Sequence, residues 1–311
     1  MNEKFEEFKS DIEGGGRKME MSQKGQEFAR DSRAYHSGYS KGMIKHHENL
    51  KKVFEYIEKE IDLEVIQDII GEYLLKSGVP KENWNILDVR DFFVLPLSYK
   101  SDNEPYAWYD SIINTVGINA SNFKDKEPVF LVILHAVIHE LVHSLSHNRV
   151  VIDKKTRRGV PVRIDVVSGY SVTSKRKNFF ESFNEGVTER ITCEVAVEYF
   201  KRVGKVGLKD FAQRIEQGIS SLSRYSIYMF FVDHICEKLS QYSGLAKPDI
   251  WNAVMRGYFT GDSLYQKETK ELLESSFSDG FVEQISELSN KTDMGALGRF
   301  AGRFDFPGTK E

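Results

Sequence analysis

The chain is expected to adopt an α+β fold dominated by helices, and three features of the sequence predict it. Apolar residues recur at helical spacing through residues 44–75 and again through most of residues 180–289. Short apolar runs suited to strands fall only at 91–99 and 106–120, and a hairpin-like scatter of Val and Ile is confined to 150–174. Helices, a few strands and then mostly helices is the order of an α+β protein, not of a strand–helix alternation.

Residues 1–42 are rich in Glu, Lys, Ser, Gly and Arg with little apolar periodicity, and are expected to be a flexible or loosely docked arm. The main domain is assigned to residues 43–290. In its first part, 43–100, Leu50, Val53, Phe54, Ile57 and Ile61 mark one helix. Residues 63–75 mark a second, ended by Gly78, Val79 and Pro80. The second part, 101–204, holds the remaining strand signals and two long helices, 128–147 and 180–203. Pro128 suits a first helical turn, and Gly204 suits a helix end. In the third part, 205–290, helices are expected at 208–222, 225–239, 249–258 and 264–289. Residues 291–311 read as a Gly-rich, polar tail.

At 311 residues with 40% hydrophobic content, the chain can wall a chemical site with a single core. The formal net charge of −4 supplies no general basic field, which disfavours nucleic acid as a partner. The basic stretches Lys154-Lys155, Arg157-Arg158 and Lys175-Arg176-Lys177 read as solvated loop ends. Cys193 and Cys236 lie in apolar, helix-like surroundings and read as structural thiols. No signal segment or membrane span is apparent, so cytoplasmic residence is expected, with export by a dedicated system left open.

The chemistry concentrates in His139-Glu140-Leu141-Val142-His143. Four residues make slightly more than one helical turn, so both imidazoles project from one face and can grip a single cation. Glu140 sits one step round, placed to take a proton from water on that cation. The flanking Leu131, Ile133, Leu134, Val137, Ile138, Leu141, Val142 and Leu145 bury the helix. A charged glutamate between two histidines in a core is costly unless something cationic or hydrogen-bonding compensates, and a divalent ion is the expected compensation. His135 and His147 extend the same spacing and read as supporting or structural residues. A third ligand is required; the positions that a third-histidine motif would fill hold Ser146 and Arg149, so a carboxylate from a later helix is expected. Glu181, Glu185 and Glu189 share one face of such a helix. Gly186 among them costs about 1 kcal/mol relative to alanine, which implies close backbone approach to another element, expected to be the His139 helix.

His139-Glu140-x-x-His143 followed by Asn184-Glu185-x-x-x-Glu189 resembles the gluzincin metallopeptidases, the group that includes the thermolysin-like enzymes. The likeness spans roughly a quarter of the chain. It implies a zincin-like catalytic domain, with one catalytic Zn2+ held by His139, His143 and Glu185, and Glu140 as general base. Glu189 and Asn184 would support the ligands, Glu189 by bonding the far side of His139. The group carries Asp where this chain has Glu189, and its gap between second histidine and glutamate is shorter. The resemblance also implies a strand beside the substrate, matched here by residues 113–119, whose free edge would pair with an extended peptide. Tyr170 and His234 are the candidates for steadying the oxyanion.

The expected activity is hydrolysis of a peptide or protein substrate with no membrane partner. Two other readings stay open: an inactive or regulatory zinc-binding relative that acts as an interaction module, and a protease effector directed at a host protein. Endopeptidase and aminopeptidase work are not separated, with Glu181 a candidate for binding a substrate amine.

Overall fold

The helix that carries His139 and His143 takes its place from its own composition. Residues 129–145 are so uniformly apolar that they can only be stable with neighbours on nearly every side. In the computed structural model this is α4 (Val129–Leu145), which packs against α2 (Glu48–Lys59), α3 (Leu63–Lys76), α5 (Glu181–Val203) and strand β3 (Ala107–Asp110). The described residues are 17–21, 23–96, 106–120, 129–152, 156–157, 160–161, 164–174, 177–204, 226–288, 299–300 and 303. They are mostly helical with small sheets, as the sequence predicts.

Within the stretch 1–42 expected as a loose arm, the described residues form β1 (Arg17–Met21) and most of the 24-residue helix α1 (Gln23–His46). Non-local contacts hold them. β1 pairs in parallel with β5 (Asn148–Ile152). On α1, Ser40 Oγ donates to the Val94 carbonyl and accepts from its N–H, and Arg33 pairs with Asp91. The two helices read at 44–75 become α2, which starts at Glu48, and α3, capped by Asp62, whose side chain accepts from the Val65 N–H.

One three-stranded sheet lies ahead of α4, in the order β2 (Phe92–Leu95), β4 (Thr115–Asn119), β3. β2 runs parallel to β4 and β3 antiparallel to it, joined through a turn in which Asn114 adopts φ 56°. The continuous strand expected over 106–120 is therefore a hairpin. Asn is among the few residues that accept this left-handed backbone without large strain. β4 lies at the centre with a partner on each side, so the expected free edge at 113–119 does not exist. Among the described residues, the edges of this sheet belong to β2 and β3.

The second sheet has the order β1, β5, β8 (Ile164–Ser168), β9 (Ser171–Ser174), β10 (Lys177–Phe179). The short strands β6 (Thr156–Arg157) and β7 (Val160–Pro161) pair with each other. Beyond it, α5 packs against α6 (Ser226–Ser243), α7 (Lys247–Thr260) and α9 (Phe281–Ser286), with α8 (Lys267–Ser276) against α6 and α9. One large apolar cluster runs through α2, α3, α4, α5, α6 and α7. The helix start at 125–128, the helix at 208–222, most of the tail and the side chains of the basic stretch 154–158 lie outside the described residues. No described helix is long and apolar enough to cross a membrane.

Candidate metal centre

Two helices carry the site. α4 sets His135, His139 and His143 at four-residue spacing, and α5 answers with Glu181, Glu185, Glu189 and Cys193 at the same spacing. The start of α5 is fixed by several bonds. Phe180, at φ 59°, donates its N–H to the Ser286 carbonyl, and Ser182 donates to Leu288. The Asn184 side-chain oxygen accepts the N–H groups of Tyr170 and Ser171 at 2.9 and 3.3 Å, which ties the β8–β9 turn to the helix. Asn184 thus supports the hairpin, not the histidines directly. Gly186 does mark a close crossing, but with α6: a Cβ there would lie 2.3 Å from the Tyr228 carbonyl oxygen. The expected neighbour, the His139 helix, is not what excludes a side chain.

His139 Nε2 stands 3.2 Å from Glu185 Oε2, and His143 Nε2 stands 3.6 Å from Glu185 Oε1. The donor atoms of His139, His143 and Glu185 all lie within 4.8 Å of one another. Zinc ligands at about 2.0–2.2 Å in a tetrahedron are separated by roughly 3.3–3.5 Å, so these three residues fit an ion with little adjustment. On the far side of His139, Nδ1 is 3.2 Å from Glu189 Oε2, while Glu189 Oε1 is 3.0 Å from His135 Nε2. Glu189 is fully buried. One carboxylate therefore orients two imidazoles, and accepting the proton on His139 Nδ1 leaves Nε2 to face Glu185. The longer glutamate, in place of the aspartate of the resembled group, makes that reach.

The electrostatics fit a cation. Burial opposes a charge on His139, but its hydrogen bonds to Glu185 and Glu189 and the charge of Glu140 outweigh it and push its pKa up to about 10. Burial would raise Glu185, yet the charges and hydrogen bonds of His143 and His139 bring it down to about 2. Glu189, despite the same burial, is held well below the usual carboxylate range by His135 and His139. The pocket keeps two carboxylates ionised in a desolvated place and gathers positive charge between them, which is the requirement a divalent ion meets.

Glu140 differs. It is buried, and burial raises its pKa above the ordinary value against the pull of His139 and His143, with the charge of Glu185 adding to the rise. The Tyr109 backbone N–H donates to its carboxylate. Tyr109 lies on the edge strand β3, so this edge of the sheet borders Glu140. A side-chain network fastens this edge to α4: Asn85 Nδ2 donates to the Ser144 carbonyl at 3.1 Å and to Asn114 Oδ1 at 2.7 Å, and the Tyr109 hydroxyl donates to Asn114 Oδ1 at 2.8 Å.

The two oxyanion candidates lie elsewhere in their bonding. The Tyr170 hydroxyl donates to the Val254 carbonyl at 2.8 Å, and its ring is buried against Phe183, so it is a core tyrosine. His234, on α6, has its ring edge-on to Phe277, and burial lowers its pKa. Neither is among the residues gathered around His139. Glu181 accepts from Asn178 Nδ2 at the hairpin end. His147 donates its N–H to the Tyr258 carbonyl, and its ring fills the space a side chain at Gly261 would need, so it is structural. The residue the sequence did not reveal is Tyr258. Fully buried at the end of α7, it bonds Thr188 Oγ1 at 2.8 Å, and its hydroxyl lies 3.5 Å from His143 Nδ1. No local spacing signals it, because the partners are distant in sequence.

Comparison with protein-family models, curated proteins and solved structures gives no match for this chain.

Proposed function

We propose that the protein is a zinc-dependent metallopeptidase with a zincin-like catalytic domain. The observation that carries this reading is the convergence of His139, His143 and Glu185 within 4.8 Å, beside a buried Glu140 bonded to the edge strand β3. His139, His143 and Glu185 would hold the ion, a donor set of two imidazoles and one carboxylate that leaves a position open for water or substrate. Zinc, when bound, supplies a Lewis acid for the scissile carbonyl and lowers the pKa of water.

The chain's own residues do the rest. Glu140 accepts the proton of the attacking water and passes it to the leaving amine. Its burial beside His139 and His143 places the carboxylate where a single proton can be taken up and handed on away from bulk water. An extended peptide would add to the β3 edge, and by taking the Tyr109 N–H it would free the Glu140 carboxylate for its proton. Glu189 holds the tautomer of His139, and Tyr258 and Thr188 brace His143.

The test is metal content by plasma mass spectrometry together with cleavage of a peptide library. Wild type is expected to hold one zinc. Glu185→Gln should lose it, whereas Glu140→Gln should keep it and cut about 10²–10⁴-fold more slowly. A wild-type protein that binds no zinc, or that binds iron in preference, would refute the assignment.

A further inference from the structure

One turn beyond Glu189 on α5, the Cys193 Sγ lies 3.9 Å from Glu189 Oε1. That oxygen is also 3.0 Å from His135 Nε2. An imidazole nitrogen, a carboxylate oxygen and a thiol sulfur thus converge within 4.8 Å of one another, and none belongs to the His139, His143 and Glu185 set. All three residues are buried, so an ion needs a way in. Cys193 provides it, because it lines a cavity of about 520 Å³ between α3 and α5. The cavity wall carries Glu72 and Glu198, both paired with Arg202, and Glu194, paired with Arg190, beside Lys76 and Lys201, so polar groups line the way to the sulfur.

We propose that His135, Glu189 and Cys193 form a second site, for a thiophilic divalent cation of the Zn2+ or Cd2+ class, reached through this cavity and antagonistic to the first ion. A sulfur, nitrogen and oxygen donor set selects such ions over Mg2+ or Ca2+. Binding replaces the Cys193 thiol proton, which leaves to water. It also draws Glu189 toward the new ion and away from His139 Nδ1. Loss of that support weakens a metal site by about 10–100-fold, and the two ions then oppose each other reciprocally. This coupling rests on the metallopeptidase reading; the second site itself does not.

The test is a Cd2+ titration of the full-length protein, read by sulfur-to-cadmium charge-transfer absorption. Wild type, His143→Ala and Cys236→Ser should each develop the band, and Cys193→Ser should not. His135→Gln keeps the thiol and should bind Cd2+ more weakly by about tenfold or more. No band in wild type, a band that survives Cys193→Ser, or unchanged affinity in His135→Gln would overturn the site. A band in His143→Ala supports it even if the protein cuts no peptide, so the two readings fail separately. With Cd2+ present, zinc should leave the first site about tenfold faster in wild type than in Cys193→Ser, and equal rates would overturn the antagonism.

Discussion

Replacing Glu189 by glutamine keeps the shape of the side chain and removes its charge, which isolates what the carboxylate does for His139. In the native protein its two oxygens each take one imidazole, His139 Nδ1 at 3.2 Å and His135 Nε2 at 3.0 Å. Glutamine offers one acceptor oxygen and one donor amide. If the oxygen stays on His139, the ring keeps its tautomer, and only the electrostatic support is lost. If the amide faces His139, Nδ1 must give up its proton, which then sits on Nε2, the atom turned toward Glu185. Both outcomes weaken the ion, the second more, and supporting residues of this kind are worth about 10–100-fold in metal affinity, or roughly 1.4–2.7 kcal/mol. Glu185→Gln removes a ligand and should cost far more. Competition with a chromophoric chelator at fixed pH measures all three proteins on one scale. A Glu189→Gln affinity within about twofold of wild type would refute the orienting role, and a loss equal to that of Glu185→Gln would make Glu189 a ligand.

Other expectations follow from the same geometry. In the metal-free protein His139 binds its proton more tightly than in the unfolded chain, about 10 against 6.5, so its stabilising effect is complete below pH 6.5 and is lost as pH rises toward 10. Glu185 and Glu189, held below 4.5, act in the opposite sense: their contribution is present above that pH and is lost as pH falls through their depressed values. Thermal scans with chelator should therefore give a Tm that declines from pH 6.5 to 10 relative to zinc-loaded protein, and a parallel profile would count against the pairing. Gly186→Ala should destabilise by about 1–3 kcal/mol, because the new methyl meets a backbone carbonyl that cannot turn aside; chemical denaturation measures it, and a neutral result would mean that α5 and α6 separate easily. Asn85→Ala should leave zinc binding intact and reduce turnover, since it unties the β3 edge from α4 without touching a ligand; steady-state kinetics beside a metal assay would reveal any contrary coupling.

The pattern of which residues could be read from sequence has a physical origin. A helix converts spacing into direction, so His139 and His143 reveal their shared face from four-residue separation alone, and the acidic row on α5 does the same. A strand gives direction only to its two faces. Its edges depend on partners elsewhere, which is why residues 115–119 could be read as a strand but not as the central one. Burial of all five residues of β4, Thr115 and Asn119 included, shows that both of its faces are covered, while pairing with β2 and β3 is what makes it central. Gly186 makes the same point for helices. Its presence says that a side chain is excluded, while what excludes it, the Tyr228 carbonyl, is a matter of tertiary crossing. The arm expected over residues 1–42 misleads for a related reason. α1 has a weak apolar face, and its placement depends on contacts more than fifty positions away in and just before β2, Ser40 with Val94, His36 with Phe93 and Arg33 with Asp91. Tyr258 is the extreme case, since it reaches His143 from another helix. The residues that could hold an ion are therefore legible where one helix sets them, whereas those that brace these residues emerge only when separate elements meet.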